Sequence, residues 1–250
     1  MTTTLNRRQF IKTAVATASL VATGEMYAAE AKPGALPRRP YRDDVTLPII
    51  GFPGLCLNNL ATPEEANKAV ARAFEEGIDY FDVAPAYGKA EQLMGPALEP
   101  YRKRCFLACK TKARTAEGAK AEMDRSLERL KTDHFDLYQL HCIVDPVKDV
   151  DAAFAKGGVM EYLEECKKSG KVRYIGFSAH TMEAAAAALN RYPFDSMMLP
   201  VNFASFFKGE FGPSAVKLAA EKKTRIIAIK AFVRQTWPKD APNRKDFPRL

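Results

Sequence analysis

Seven short apolar runs separated by six helix-length amphipathic segments recur along this chain, at a spacing that few folds accommodate. The runs are LPIIGF (47–52), IDYFDVA (78–84), RCFLACKT (104–111), FDLYQLH (135–141), KVRYIGFS (171–178), SMMLPVN (196–202) and RIIAIKAF (225–232). Strands alternating with helices at this interval predict a parallel sheet with right-handed crossovers, because a parallel return needs a long connection that packs back on the sheet. The clearest helix signal is the first. Thr62 is a good N-cap, Pro63 suits the first turn, Glu64 and Glu65 complement the helix dipole, and Ala66, Val70, Ala73 and Phe74 form a stripe that Gly77 ends. Further helices are predicted at 90–98, 117–130, 159–169, 182–189 and 214–222.

The flanks read differently from this repeating body. Residues 1–31 place Arg7 and Arg8 before Phe10, Ile11 and Lys12, then a mild apolar stretch, then small residues near Ala28 to Ala31. That order is an export leader, and the arginine pair resembles a twin-arginine signal, which implies passage through the twin-arginine translocation machinery to the periplasm or beyond. The stretch is too short and too rich in Ala and Thr for a spanning helix of about 20 residues, so no stable membrane span is expected. Residues 32–46, rich in Pro and Arg, read as a linker, 47–232 as the repeating domain, and 233–250 as an irregular basic tail.

Charge and cysteine usage exclude other classes. The net charge of +8 is partly local, with six basic against two acidic residues from Lys230 to Leu250, and no zinc-finger spacing or aromatic-studded basic module points to nucleic acid. Five cysteines, at 56, 105, 109, 142 and 166, include no CxxC pair, which predicts neither a disulfide framework nor a metal site. By the period of two, Cys109 and Cys142 should face the helices while Lys110 and His141 face the sheet interior.

Asp82 and Tyr87 in FDVAPAYG, Lys110 ending the third run, His141 in DLYQLH and the later GFS resemble the aldo-keto reductase superfamily, in order from about Leu47 to Phe232. The resemblance implies a (β/α)8 barrel of the TIM type and reduction of an aldehyde or ketone by NADP(H) or NAD(H), or the reverse. The side chains suit that chemistry in their own right. Tyr87 is the candidate proton donor, Lys110 would lower its pKa, Asp82 would hold Lys110 charged and aimed, and His141 can donate a hydrogen bond to the carbonyl oxygen. Strand ends are also where catalytic side chains converge in such a barrel.

The same resemblance assigns Ser178 and Asn202 to the nicotinamide carboxamide, while Lys230 could reach a cofactor phosphate or stand solvated. Three departures accompany it: Ala179 stands where many relatives carry Asn, Asn202 where many carry Gln, and AIKAF lacks the Tyr that often stacks on the nicotinamide. His134 and His180 read as structural or surface groups. Phe206, Phe207 and Phe211 in SFFKGEF could line an apolar mouth. Beyond Phe232 the sequence lacks the periodicity of a further helix, strand and helix, so a shortened barrel with open sheet edges is expected, and with it self-association. The alternative function is a catalytically weak relative acting as a binding or interaction module.

Overall fold

The computed structural model describes residues 36–202 and 213–231; the leader, the SFFKGEF loop and the basic tail lie outside the described residues. Within them, seven strands pair in parallel in chain order: β3 (Phe52–Pro53), β4 (Tyr80–Asp82), β5 (Phe106–Thr111), β6 (Phe135–Ile143), β7 (Val172–Ala179), β8 (Ser196–Pro200) and β9 (Arg225–Ile229). Helices α1 (Pro63–Glu75), α2 (Ala90–Leu98), α3 (Ala116–Leu130), α4 (Val159–Lys168), α5 (Met182–Arg191) and α6 (Pro213–Glu221) alternate with them. Sequential order with a helix at each of six crossovers is the arrangement of the (β/α)8 barrel fold.

Local chemistry fixes the helix starts. Thr62 forms a full capping box: its hydroxyl accepts the Glu65 N–H at 3.3 Å, and the Glu65 carboxylate accepts the Thr62 N–H at 3.3 Å. Thr115 and Thr181 cap α3 and α5 with their hydroxyls alone, accepting from the N–H groups of Gly118 and Ala184. The helices bury small faces, Ala66, Val70 and Ala73 on α1 and Ala184, Ala185 and Ala188 on α5, against the outer side of the sheet. None of the described helices is long and apolar enough to cross a membrane.

Two expectations change at the start of the domain. Instead of a linker, residues 32–46 hold most of an antiparallel hairpin, β1 (Arg38–Arg42) with β2 (Val45–Pro48), turning through Asp43 at φ 52°. The run LPIIGF is correspondingly divided: Leu47 and Pro48 belong to the hairpin, and only Phe52 begins the parallel sheet. The hairpin lies across the N-terminal ends of the strands. Tyr41 packs edge-on to Phe106 and Tyr174 with centroids 5.4 and 5.3 Å apart, and its hydroxyl donates to Ser196 Oγ at 3.0 Å. Arg38 pairs with Asp79 at 2.8 Å and Arg42 with Asp195 at 2.9 Å. A Pro- and Arg-rich segment hides this role because every partner is distant in sequence.

Candidate active site

Three strand ends and one loop bring the four expected side chains together at the C-terminal side of the sheet. Asp82 is the last residue of β4, Lys110 the penultimate residue of β5, and His141 the third from the end of β6; Tyr87 sits on the loop before α2. Lys110 Nζ donates to Asp82 Oδ1 and, at 3.2 Å, to the carbonyl oxygen of Val83. The same ammonium lies 5.1 Å from the centroid of the Tyr87 ring, and the His141 ring meets that ring edge-on at 5.7 Å. Lys110 is fully buried and Asp82 nearly so, a burial tolerated only because each charge neutralises the other.

Asp82 has two further partners that the sequence reading missed. Gln139 Nε2 donates to its Oδ2 at 3.2 Å, and the Tyr80 hydroxyl donates to the same oxygen at 3.4 Å. A signal for both was present. Tyr80 lies two residues before Asp82 and Gln139 two before His141, so the period of two puts each on the interior face of its strand.

The loop carrying Tyr87 depends on Gly88. Gly88 has φ 60°, and a Cβ there would come within 2.2 Å of Asn58 Oδ1, the oxygen that accepts the Lys89 N–H at 3.1 Å. Only glycine both adopts this conformation freely and leaves room for that contact.

His141 sits in a β-bulge. Along β7, Phe177 pairs with Leu140 and Ala179 with Ile143, so β6 carries one residue too many between them. Cys142 takes up the excess at φ 59°, and its N–H donates to Ser178 Oγ at 2.7 Å. Bulges of this kind re-aim side chains beside active sites. The bulge also bends the predicted alternation. Cys109 does face the helices, its thiol 3.6 Å from Glu91 of α2, whereas Cys142 is only half-buried. Arg114 braces the bulge: its guanidinium donates to the His141 carbonyl at 2.9 Å and pairs with Asp149 at 3.0 Å.

The remaining sequence candidates divide. Ser178 is buried beside the site, with its hydroxyl oxygen already accepting from Cys142. Asn202 lies past the end of β8 and donates to the Lys230 carbonyl at 3.0 Å, and Lys230 follows β9 with φ 56° and an exposed side chain. Both strands are shorter than predicted, so these two residues belong to the rim rather than to the ladder.

Burial and neighbouring charges shift three of the central groups, Lys110, Tyr87 and His141. Burial opposes the charge of Lys110, yet Asp82 and Tyr87 together hold its pKa above the ordinary lysine value. For Tyr87 the expected direction is reversed. Burial raises its pKa and outweighs the lowering by Lys110, so the phenol stays protonated. Burial, with the charges of Lys110, Lys112 and Arg114 and the His180 ring, pushes His141 down to about 3, which keeps its imidazole neutral at physiological pH. Among the described residues, no group of three His, Cys, Asp or Glu side chains could hold a metal ion.

Residues 54–236 match the sequence profile of the Aldo/keto reductase family. The aldo-keto reductase YhdN of Bacillus subtilis is 31% identical over 181 residues, which cover 67% of this chain and 52% of that protein. The methylglyoxal reductase YeaE of Escherichia coli is 33% identical over 143 residues, covering 55% of this chain and 48% of its own. The chain thus spans about half the length of the curated relatives it matches. Among solved structures, the holo form of an aldo-keto reductase from Bacillus halodurans superposes with a TM-score of 0.66 at 24% identity, over 82% of this chain and 71% of that one. An aldo-keto reductase from Klebsiella pneumoniae in complex with NADPH gives 0.62 at 21% identity, over 78% and 68%.

Proposed function

The chain belongs to the aldo/keto reductase family, and from that premise we propose that it reduces an aldehyde or ketone to an alcohol with NADPH or NADH. The observation that carries this reading is the convergence of Tyr87, the Asp82–Lys110 pair and His141 on one end of the sheet. When bound, such a dinucleotide would supply the hydride for the carbonyl carbon. Tyr87 supplies the proton that completes the alcohol, and its retained phenolic proton suits an acid. Lys110, kept as an ammonium, faces the charge left on the phenolate, and Asp82, itself held by Gln139 and Tyr80, fixes where that ammonium points. Neutral His141 donates one ring N–H to the carbonyl oxygen and so selects its orientation.

The donor set beside these groups fits a nicotinamide dinucleotide. Ser178 uses its oxygen to accept from Cys142, which leaves the hydroxyl proton for a carboxamide oxygen. The exposed ammonium of Lys230 offers a counter-charge for a phosphate, and Asn202 holds the Lys230 backbone. The names of the relatives, a methylglyoxal reductase among them, support carbonyl reduction. In the same reading the protein acts outside the cytoplasm after twin-arginine export, and the outer edges of β3 and β9, at the two ends of the described sheet, are where a second copy would pair.

Calorimetric titration of the full chain with NADPH and NADH, followed by turnover of a carbonyl panel, tests the proposal. Tyr87→Phe should lower turnover about 10²–10⁴-fold while the dinucleotide still binds. Wild-type turnover in that variant would reject Tyr87 as the acid. A folded chain that binds neither dinucleotide would favour the interaction-module reading.

A further inference from the structure

Lys112 is a cation that the chemistry above does not use. It follows β5 immediately, and the period of two places it on the same face as Lys110, one step nearer the mouth. Across the β5–β6 pair, Lys110 is level with Gln139 and Thr111 with Leu140, so the next position sets Lys112 level with His141. Its backbone is fixed on both sides: the N–H donates to Glu122 at 3.2 Å, and the carbonyl accepts from Arg114 at 3.1 Å. Its side chain is exposed, and among the described residues no carboxylate lies within ion-pair distance of its ammonium.

Glu122, Asp149 and Asp145 on neighbouring elements already hold other partners. Glu122 also accepts from the Thr111 hydroxyl at 2.6 Å, Asp149 is paired with Arg114 and accepts two backbone N–H groups, and Asp145 caps the turn at 146–151. His180 follows β7, the strand next to β6, its N–H bonded to the Ile143 carbonyl at 2.9 Å. Burial lowers the pKa of His141 and of His180, and the charge of Lys112 adds to the lowering at both rings, beside Lys110 at His141 and Lys230 at His180. A backbone fixed by two hydrogen bonds, carrying a cation with no ion-pair partner among the described residues and level with His141, is an arrangement that recognises an anion.

We propose that Lys112 anchors an anionic group on the substrate, so that the carbonyl compounds this site takes are short oxo-acids bearing a carboxylate a few bonds from the carbonyl. The inference rests on the carbonyl-reductase reading and deepens it. Lys112 is a specificity residue and Tyr87 remains the acid. The carboxylate lies toward the β5 side of the mouth, with the Lys230 side left to the phosphates of the dinucleotide.

The test compares 4-oxobutanoate with butanal, a pair alike in chain length that differs by one carboxylate, using the full chain with saturating NADPH. The wild type should favour 4-oxobutanoate in kcat/KM by about tenfold, which corresponds to about 1.4 kcal/mol. Lys112→Met should bring the ratio close to one through KM, and Lys112→Arg should restore it. Equal kcat/KM values in the wild type, or a preference that survives in Lys112→Met, would overturn the proposal. So would weaker NADPH binding in Lys112→Met with the acid preference intact, because the charge would then belong to the dinucleotide. If neither aldehyde is reduced, the underlying reading fails, and calorimetry with succinate decides the anchor separately. Binding to the wild type that Lys112→Met weakens supports it; equal or absent binding overturns it.

Discussion

Lys110 and Asp82 show how a charged pair can be buried in an apolar sheet and stay useful. Each is held from more than one side, Lys110 by Asp82 and Val83, Asp82 by Lys110, Gln139 and Tyr80, so neither charge is left without a partner. Removing one partner exposes that dependence. Lys110→Met should cost about 3–5 kcal/mol in urea unfolding, and adding Asp82→Asn should recover part of the loss; a single variant as stable as the wild type would show that the pair carries no such strain. His141 predicts a pH effect. Its folded pKa of about 3 lies below the ordinary 6.5, so between those values the unfolded chain holds a proton that the folded chain does not. Stability should therefore rise with pH across that window and level off above 6.5. His141→Gln should flatten the rise, as read from unfolding midpoints at pH 4, 5, 6 and 7. Asp82, Lys110 and His141 were legible from sequence because each stands at or near a run's end, where periodicity says which way it points, and Tyr87 because it follows Asp82 in FDVAPAYG. The sign of the Tyr87 shift was not, because it depends on how deeply the loop buries the ring.

At the scale of the element, the bulge in β6 is the feature the sequence concealed. DLYQLHC reads as an uninterrupted strand, and nothing local marks the extra residue. It becomes visible only in the register against β7, where Ser178 accepts the N–H that Cys142 can no longer give to the ladder. Ser178, assigned from resemblance to the cofactor, therefore also pins the strand that aims His141. Ser178→Ala should cost about 1–3 kcal/mol, the penalty for leaving a buried donor unpaired, and should lower turnover with it. Denaturation coincident with the wild type would mean that the bulge holds without this bond. The helices were far more legible. A predicted start at 117 against an observed 116, and a predicted span of 90–98 that the structure reproduces, follow from caps and stripes that operate within a few residues.

At the scale of the molecule, sequence patterning predicted the parallel order of the strands but not what closes their N-terminal side. β1 and β2 bury Tyr41, 4% exposed, among Tyr80, Phe106 and Tyr174, and each such aromatic pair contributes about 0.5–1.5 kcal/mol beyond its area. Compactness matters if the chain is exported folded, as the arginine pair proposes. Arg7→Lys with Arg8→Lys should keep the folded chain in the cytoplasm, measured by fractionating cells; undiminished transport would remove the basis for that route. The hairpin also sets an order of events in synthesis. Arg225 on β9 donates to the Tyr41 carbonyl at 2.6 Å across 184 residues of chain. At about 5–20 residues per second on the ribosome, Tyr41 waits roughly 10–40 s for that partner to be made. The aromatic partners Tyr80, Phe106 and Tyr174 are made earlier, so the hairpin's apolar face can be covered before β9 exists, and the Arg225 bond is the last tie to form.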